Sequence, residues 1–400
     1  MKKIISKQKI FFQLLKRFTM NHISKLVAVF ISLVLVACAG TTDPRRIPEP
    51  LKNFQQQVEI KKNWQINIGS GGGYFLQPAL GENSIYAAAA NGDLSKIDQQ
   101  TGKLLWRMPL AKKLSAGVAS HNQLIVIVTQ RGDVLAINDE GASGKLKWAT
   151  NISGEVLSSP LVSHNMVVVK TTDGRVIAMN SNDGRILWRF RSPVTSLNLR
   201  TVSDLQFVNE DLILVGFTGG NVVILNSKDG ELIWQTAISY PRGVTEVERI
   251  NDVTGQPVIV GSILCTATFQ GRIGCIDSQS KQIIWDKPFS SYSGLAANSD
   301  LLVAGDEWSK ITAFHVQDGR QQWENNQLKS RQLSSPLLIG KAVVVGDYQG
   351  FLHFLSQSEG NLIARVETDG SPITVKPILA PDDLLIVQTQ KGGLFTFSPN

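Results

Sequence analysis

The chain contains few of the side chains that carry out chemistry. Its 400 residues include three cysteines and five histidines, and one of those histidines lies in the first 37 residues. His121 and His164 occupy the same place in successive copies of an internal repeat, within Ser-His-Asn, which is typical of turn residues rather than metal ligands. Most acidic residues lie beside glycine in turns, where their side chains bind their own backbone. The sequence therefore predicts a protein without a catalytic centre, a metal site or a cofactor.

The start of the chain contains no acidic residues, and the rest of the chain has no excess of basic residues. Residues 1–37 hold seven basic residues and no acidic residue. The remainder holds 40 − 7 = 33 basic and 33 acidic residues, so its formal net charge is zero. Nucleic-acid binding needs a basic surface, and the sequence excludes that class. The glycine run 69–73 is not followed by Lys-Ser or Lys-Thr, so we interpret it as a connector and not as a phosphate-binding loop.

Long apolar runs are scarce, and the one at Leu26–Ala37 is short for a membrane span but typical of a signal-peptide core. It ends in Leu-Val-Ala-Cys38, which resembles the lipobox of bacterial lipoproteins and implies that Cys38 becomes the acylated first residue. The alternative is a short membrane anchor with an incidental cysteine. A signal of ordinary length begins at Met20, so the translation start can be Met1 or Met20. Ala39-Gly40, with no aspartate after Cys38, indicates an outer-membrane lipoprotein that faces the periplasm.

Composition divides the chain into three parts. Residues 1–37 are the predicted lipoprotein signal peptide. Residues 38–57, with several prolines and Gln55-Gln56-Gln57, are the lipidated cysteine and a flexible tether. Residues 58–400 are predicted to form one domain, because a fold made of repeated units becomes larger by adding units and needs no single large core.

The repeat is clearest around Asp173-Gly174, which predicts a type I′ hairpin turn before a strand. A second turn then leads into a strand that ends in Trp188. The glycine recurs at Gly92, Gly132, Gly220, Gly271, Gly350 and Gly392, with Ser309 in the equivalent place of one copy. The tryptophan recurs at Trp106, Trp148, Trp234, Trp285 and Trp323, with Ala364 in the seventh copy. A repeat of about 40–50 residues with four strands predicts a propeller blade.

The count of strands in the copies of the repeat predicts how the ring closes. The eighth copy ends before its tryptophan strand, while Trp64 lies in a strand that no repeat glycine precedes. We therefore predict an all-β fold, an eight-bladed propeller of four-stranded antiparallel blades, in which the Trp64 strand pairs with the C-terminal blade. A seven-bladed ring is the alternative. Proline before the first strand of several blades, as at Pro78 and Pro160, suits the innermost strand, whose edge is unpaired.

Two connections are longer than the others, at 190–203 and 239–257. Both follow a tryptophan strand, so they emerge side by side on one face. The first contains Leu197, Leu199 and Arg200, and the second contains several acidic residues. Exposed leucines beside orienting charges predict a protein-binding patch. The alternative is that the leucines are buried beneath their own loops.

Motifs such as Thr-Gly-Lys-Leu-Leu-Trp106 and Asp-Gly-Glu-Leu-Ile-Trp234 resemble the PQQ-like blade repeat, which occurs in quinoprotein dehydrogenases and in binding propellers without cofactor. Ser-Leu-x-Leu-Arg200, Thr-Glu-x-x-Arg-x-x-Asp252-Val and the segment Gly346–His353 further resemble the BamB family of outer-membrane assembly lipoproteins. Adjacent cysteines, found in several quinoprotein dehydrogenases, are absent.

The resemblance to the BamB family implies a non-enzymatic scaffold that docks to the periplasmic POTRA domains of BamA and assists the folding of outer-membrane proteins. The carried-over contact residues are Leu197, Leu199, Arg200 and Asp252. The family has a second acidic residue where this chain has Thr254, and Glu246 or Glu248 can compensate. The alternatives are a periplasmic quinoprotein dehydrogenase and a cofactor-free propeller with another envelope partner.

Cys265 and Cys275 lie on the two arms of a predicted hairpin whose turn includes Gln270-Gly271. If the loop has an odd number of residues, the two thiols face each other and can form a disulfide in an oxidising periplasm. If the turn has two residues, they point to opposite faces of the sheet. The sequence leaves both possibilities open.

Overall fold

Short apolar strands joined by turns make up the protein, as the repeat predicts. A computed structural model describes residues 47–193, 197 and 199–399. Within that part of the chain, 32 strands form eight antiparallel sheets of four strands each. These sheets are the blades of an eight-bladed propeller, so the predicted fold is confirmed. The signal peptide, Met20 and Cys38 lie outside the described residues.

The strands follow one another from the inner to the outer edge of each blade. Blade 1 comprises β2 (Ala79–Leu80), β3 (Ser84–Ala88), β4 (Asp93–Asp98) and β5 (Leu104–Pro109). Blade 2 comprises β6 (Ala119–His121), β7 (Leu124–Val128), β8 (Asp133–Asp139) and β9 (Gly144–Asn151). Blade 3 comprises β10 (Leu161–Val162), β11 (Met166–Lys170), β12 (Arg175–Asn180) and β13 (Ile186–Arg191). Blade 4 comprises β14 (Gln206–Asn209), β15 (Leu212–Gly216), β16 (Asn221–Asn226) and β17 (Leu232–Ala237).

The second half of the ring repeats this order. Blade 5 comprises β18 (Val258–Val260), β19 (Ile263–Ala267), β20 (Gly271–Asp277) and β21 (Ile283–Phe289). Blade 6 comprises β22 (Ser291–Ala297), β23 (Leu301–Asp306), β24 (Ile311–His315) and β25 (Gln321–Asn325). Blade 7 comprises β26 (Leu337–Ile339), β27 (Ala342–Gly346), β28 (Phe351–Ser356) and β29 (Leu362–Glu367). Blade 8 comprises β30 (Ile378–Ala380), β31 (Leu384–Gln388), β32 (Gly393–Pro399) and β1 (Ile60–Asn67).

The two ends of the domain meet in blade 8. Strand β1 pairs with β32, with Ile60 opposite Pro399 and Asn67 opposite Gly393. The Trp64 strand is therefore the outer strand of the last blade, and the predicted ring closure is confirmed.

The hydrophobic core is divided among the interfaces between neighbouring blades. The second and third strands of each blade are almost entirely buried, because both of their faces are covered by the adjacent sheets. Inner strands are short, and Pro78, Pro160, Pro336 and Pro377 each stand immediately before one of them. At that place the missing N–H does not interrupt a ladder.

The tryptophan of one blade is bonded to the next blade. The indole N–H of Trp148 donates to the backbone oxygen of Ser181 at 2.9 Å, and that of Trp188 donates to the oxygen of Ser227 at 2.8 Å. Trp106 instead donates to the Asp139 carboxylate at 3.2 Å. These bonds explain why the tryptophan recurs in most copies of the repeat, since such an indole satisfies its donor across an interface.

The turn between the second and third strands differs from the predicted type I′ turn. Gly174 has a φ of 79°, but Asp173 does not have a positive φ, and Thr171 N–H bonds to the oxygen of Arg175. The loop is thus a three-residue hairpin with one left-handed position, which is why a single glycine recurs. In blade 6 this position is Ser309, with a φ of 67°. In blade 5 the left-handed residue is instead Gln270, one place before the repeat glycine Gly271, with a φ of 49°.

Cys265 and Cys275 lie directly opposite each other on β19 and β20. Their Cα atoms are 4.1 Å apart and the sulfurs are joined as a disulfide. Both cysteines are fully buried in the interface between blades 5 and 6. The hairpin loop therefore has an odd number of residues, which is one of the two possibilities that the sequence left open.

Residues 48–58 lie along the outside of the propeller, and we call this segment the strap. Glu49 N–H bonds to the oxygen of Lys329 at 3.0 Å, and Gln57 N–H bonds to the oxygen of Ile363 at 2.8 Å. Leu51 and Phe54 pack against the apolar cluster between blades 6 and 7. The sequence predicted a flexible tether up to Gln57, but the structure shows this segment bound to the propeller. The reason is that its apolar side chains pack on blades 6 and 7.

The antiparallel order of the strands gives the propeller two distinct faces. Loops from an outer strand to the next inner strand lie on one face, together with turns between second and third strands such as Thr171–Arg175. We call this the upper face. Turns between third and outer strands, such as Asn180–Arg185, lie on the opposite, lower face.

Candidate functional site

The two long loops leave β13 and β17 on the upper face and contact each other. Leu199 N–H donates to Oδ2 of Asp252 at 2.6 Å. Further along, Gly255 N–H donates to the oxygen of Val202 at 2.9 Å. The loops therefore lie side by side and are bonded to each other. Residues 194–196 and Asn198 of the first loop lie outside the described part of the chain.

Asp252 is buried, with 5% of its surface exposed. Its Oδ2 binds the Leu199 amide, while its Oδ1 is buried without a hydrogen-bond partner. Burial raises the pKa of this carboxyl above its ordinary value, although the Leu199 amide and the nearby Lys170 ammonium act in the opposite direction. Asp252 thus faces the interior of the propeller and holds the first loop from beneath.

Lys170 lies behind Asp252 at the end of β11. Its Nζ donates to the oxygen of Gly216 at 2.8 Å and stands 5.7 Å from the centre of the Phe217 ring. Burial lowers the pKa of Lys170 to about 8. No sequence pattern indicated this lysine, because it ends an ordinary buried strand and approaches Asp252 only in the folded ring.

Arg200 is exposed, and its guanidinium is held in place on the upper face. It donates to Oε1 of Glu155 at 2.5 Å and lies 5.2 Å from the centre of the Tyr74 ring. The pKa of Arg200 is raised by its bonds to Tyr74 and Glu155. Both partners come from loops of other blades, so no local sequence pattern could have identified them.

Exposed apolar side chains lie on both loops. Leu197 is 45% exposed, and Leu199 is half-buried between its loop and Asp252. On the second loop, Tyr240, Val244 and Val247 are 68%, 95% and 60% exposed. The sequence predicted Leu197 but missed these three, although their alternation with polar residues in 239–251 was a usable indication. Among the exposed large apolar side chains of the described residues, these three have the largest exposed fractions.

The acidic residues of the second loop bind within that loop. Oε2 of Glu248 accepts the N–H groups of Val244 and Thr245 at 2.8 and 3.1 Å, and these bonds lower the pKa of Glu248. Glu246 lies 3.7 Å from Arg249. Thr254 is buried, and its hydroxyl donates to the oxygen of Ser291. A carboxylate at Thr254 would therefore be directed inward.

The central channel widens on the upper face into a cavity of about 410 Å³. Phe75, Tyr292 and Tyr348 contribute aromatic walls, and Asp204 and Lys376 contribute opposite charges. Oδ1 of Asp204 is buried without a partner, and burial raises the pKa of this carboxyl to about 6. Within the described residues, no three His, Cys, Asp or Glu side chains come together as metal ligands.

Among the described residues, no helix is long and apolar enough to cross a membrane. Cys38, the predicted lipidation site, lies outside this part of the chain.

Comparison with known proteins gives consistent relatives. A family described as outer membrane protein assembly factor BamB matches residues 90–325. The protein named outer membrane protein assembly factor BamB from Burkholderia pseudomallei (strain K96243) is 43% identical over 367 residues, covering 92% of this chain and 95% of that protein.

Solved structures share the fold at lower identity. The crystal structure of BamB from Moraxella catarrhalis superposes with a TM-score of 0.79 at 23% identity, over 85% of this chain and 100% of that chain. A quinohemoprotein alcohol dehydrogenase, ADHIIG from Pseudomonas putida HK5, superposes with a TM-score of 0.68 at 13% identity, over 87% of this chain and 78% of that chain. At these identities the likeness concerns the propeller fold alone.

Proposed function

Because this chain belongs to the BamB family of outer membrane protein assembly factors, we propose that it is a non-enzymatic scaffold of the outer-membrane β-barrel assembly machine. In this proposal Cys38 carries the lipid anchor, and the propeller faces the periplasm. The two bonded loops of the upper face dock to the POTRA domains of BamA, and the scaffold helps BamA to receive unfolded outer-membrane proteins. The observation that carries the proposal is the exposed Leu197 on a loop fixed by Asp252 and Arg200.

Preorganisation is the physical basis of the docking. A loop that is already held in its bound conformation loses less conformational entropy when it binds a partner. Asp252 bonds the loop at Leu199, and Arg200 bonds it to Glu155 one residue later. Leu197 then projects as an apolar anchor at one end of this fixed segment.

Direct contact and positioning are separate roles among the four carried-over residues. Leu197 and Arg200 are exposed and can touch a partner, and Leu199 is partly accessible. Asp252 is buried and acts through the Leu199 amide, so we assign it a positioning role. Glu246 and Glu248 order the second loop, whose exposed Tyr240, Val244 and Val247 extend the apolar surface.

The experiment is co-purification of the lipoprotein from detergent-solubilised outer membranes, with bound proteins identified by mass. We expect BamA with the wild-type chain. The double variant Leu197→Ala, Arg200→Ala should recover at least about ten-fold less BamA, because loss of an anchor in a desolvated contact costs about 2 kcal/mol or more.

A matched control removes the same two residue types elsewhere. Leu187→Ala with Arg185→Ala changes an exposed leucine on the outer strand of blade 3 and an exposed arginine in the turn just before that strand. This control should recover BamA as the wild type does. Equal recovery from the loop variant would show that the docking site is wrong, and a wild-type preparation without BamA would indicate a different envelope partner.

A further inference from the structure

Blade 7 lacks the tryptophan of the other blades, and the strap covers the place where it would lie. Ala364, at the tryptophan position of β29, is fully buried. Val58 and Ile60 pack into the apolar cluster that contains Ala364. Gln57 is bonded to the backbone oxygen of the neighbouring Ile363. The departure from the repeat at Ala364 is therefore compensated by a segment from the other end of the domain.

A buried cluster of four side chains in blade 7 and the loop before it holds the strap. Asp347 and His353 are fully buried, and Nε2 of His353 donates to Oδ2 of Asp347 at 2.9 Å. Arg331, 2% exposed, donates through Nε to the same oxygen at 2.8 Å. Nε of Arg365 donates to Nδ1 of His353 at 3.2 Å. His353 therefore acts as a neutral imidazole, and burial lowers its pKa accordingly.

The cluster has more hydrogen-bond donors than acceptors, and the strap supplies the missing acceptors. Two guanidinium groups face one carboxylate, one neutral imidazole and the side-chain oxygen of Gln349, which accepts from Nη2 of Arg331. Nη1 of Arg331 donates to the backbone oxygen of Glu49 at 3.0 Å, and Nη1 of Arg365 donates to that of Lys52 at 3.1 Å. The guanidinium of Arg365 also lies 5.0 Å from the centre of the Phe54 ring. Without the strap these guanidinium groups would lose their carbonyl partners in a partly apolar surround.

The strap reverses the face from which the chain enters the propeller. Strand β1 begins at Ile60 beside Pro399, at the lower face. Glu49, at the other end of the strap, is bonded to Lys329 and Arg331 in the upper-face loop between blades 6 and 7. The strap thus carries the chain across the outer edge of blade 7, so that the N-terminal connection reaches the propeller at the face that bears the two long loops.

We propose that blade 7 and the loop before it carry an orienting clamp for the strap, which holds the N-terminal connection at the upper face so that the membrane anchor and the partner-docking loops share one side of the propeller. The clamp consists of Arg331, Asp347, His353 and Arg365, and its ligand is the backbone at Glu49 and Lys52. This inference rests on the proposed lipid anchor at Cys38. With the strap bound, the chain makes 48 − 38 = 10 Cα-to-Cα steps from Cys38 to Pro48, a reach of at most about 35 Å.

Trypsin cleavage after Lys52 reports directly on the clamp. The Lys52 side chain is 67% exposed, while its carbonyl, which belongs to the scissile bond, is held by Arg365. We expect the mature lipoprotein to be cut slowly at this bond, and Phe54→Ser to be cut at least about ten-fold faster, since local opening exposes the bond in proportion to its population. Arg365→Gln, which removes the bond to Lys52 from the propeller side, should act in the same direction.

A neighbouring substitution serves as the control. Gln55→Ser changes an exposed strap residue that is not part of the clamp, and it should leave the rate unchanged. Equal cleavage rates for the wild type, Phe54→Ser and Arg365→Gln would overturn the clamp.

Energy transfer to a lipid acceptor in vesicles tests the orientation. Arg131→Cys and Ala142→Cys place a dye on the upper and lower turns of blade 2, both at exposed residues. Because Cys265 and Cys275 are bridged, the introduced thiol is the one that reacts in the described domain. We expect stronger transfer from position 131 than from position 142 in the wild type, and loss of that difference when Phe54→Ser is added.

The outcomes separate the clamp from the anchor. Equal transfer from both faces in the vesicle-bound wild type would overturn the orienting role. A wild-type protein that does not bind vesicles would overturn the lipid anchor, and with it the orienting role, while the trypsin result still decides whether the clamp exists.

Discussion

In six of the described blades, the turn before the outer strand contains a left-handed residue that faces the tryptophan of the preceding blade. Five such glycines have φ values between 69° and 76°: Gly102, Gly184, Gly230, Gly319 and Gly360. A Cβ atom at any of them would lie 2.3–2.5 Å from a ring carbon of that tryptophan. Glycine is therefore required there twice, by the backbone and by the close approach of the indole.

Lys281 is the exception, in blade 5. Its N–H bonds to the oxygen of Asp277 at 2.8 Å, as Gly102 bonds to Asp98, so the turn is the same. Its φ is 63°, a conformation that costs a residue with a Cβ about 1 kcal/mol or more. The facing Trp234 is half-buried, whereas Trp188 and Trp285 are 7% and 9% exposed.

Lys281→Gly should stabilise the protein by about 1 kcal/mol, because it removes the strain and lets Trp234 approach the turn. The measurement is the midpoint of thermal or denaturant unfolding. Lys281→Ala is the control, since it keeps the Cβ and should give no such gain. An unchanged or lower midpoint for the glycine variant would contradict this account of the turn.

At the scale of the element, the strand register of the β19–β20 hairpin determines whether its two cysteines can form a disulfide. Cys265 and Cys275 meet because the loop between the two strands places them in the same cross-strand pair. A shift of one residue would send the two thiols to opposite faces of the sheet. The disulfide also lies in the buried interface between blades 5 and 6, so it fixes the hairpin against that core.

Loss of this disulfide should lower the free energy of unfolding by about 2–3 kcal/mol, because the bridge closes a loop of about ten residues in the unfolded chain. The measurement is the unfolding midpoint with and without a thiol reductant. A Cys265→Ala, Cys275→Ala variant should unfold at the same midpoint in both conditions. A wild-type midpoint that does not respond to reductant would mean that the bridge is absent.

At the scale of the whole molecule, one pair of strands joins the two ends of the domain. The interface between blades 8 and 1 depends on Trp64, whose indole N–H donates to the oxygen of Gln99 at 3.0 Å and whose ring packs on Gly102. The interface between blades 3 and 4 has the equivalent bond from Trp188 to Ser227 at 2.8 Å. The chain joins both pairs of blades directly, but blade 8 itself is held together by the pairing of β1 with β32, which come from opposite ends of the domain.

Trp64→Ala should destabilise the protein by at most about 3 kcal/mol, as expected when a large, partly buried side chain is removed. Hydrogen exchange should rise in β1, β32 and blade 1, because the ring opens there. Trp188→Ala should cost a similar free energy and raise exchange in blades 3 and 4 instead. If exchange rose uniformly in Trp64→Ala, the closing pair would not be a separate point of weakness.

Much of the fold was predictable because the same pattern of strands and turns occurs several times in the sequence. The positions of Gly174 and Trp188, and their copies, predicted the blade, the number of blades and the closure by the Trp64 strand. The type I′ turn was wrong because a glycine shows that one left-handed residue is needed, without showing how many residues the loop holds. Lys281 and Ser309 show that a left-handed position persists in each kind of turn when glycine is replaced.

The candidate site was predictable in part. The two long loops stood out because they interrupt a regular repeat, and Leu197 and Arg200 belonged to a recognisable motif. Lys170, Glu155 and Tyr74 were missed because each lies on a different blade from the loop that it supports or approaches. Asp252 was identified, but only its burial shows that it acts through Leu199 rather than as an exposed contact.

The sequence by itself determined the architecture of this protein, since strand alternation, turns and the inter-blade tryptophan are local features repeated along the chain. Tertiary structure alone decided the contacts between residues far apart in sequence. It bonded Arg331 and Arg365 to the strap, brought Leu199 to Asp252 and placed the two cysteines in one pair. Such contacts depend on ring closure and strand register, which bring together residues that are far apart in the sequence. The residues next to each of them in the sequence give no sign that the contact will form.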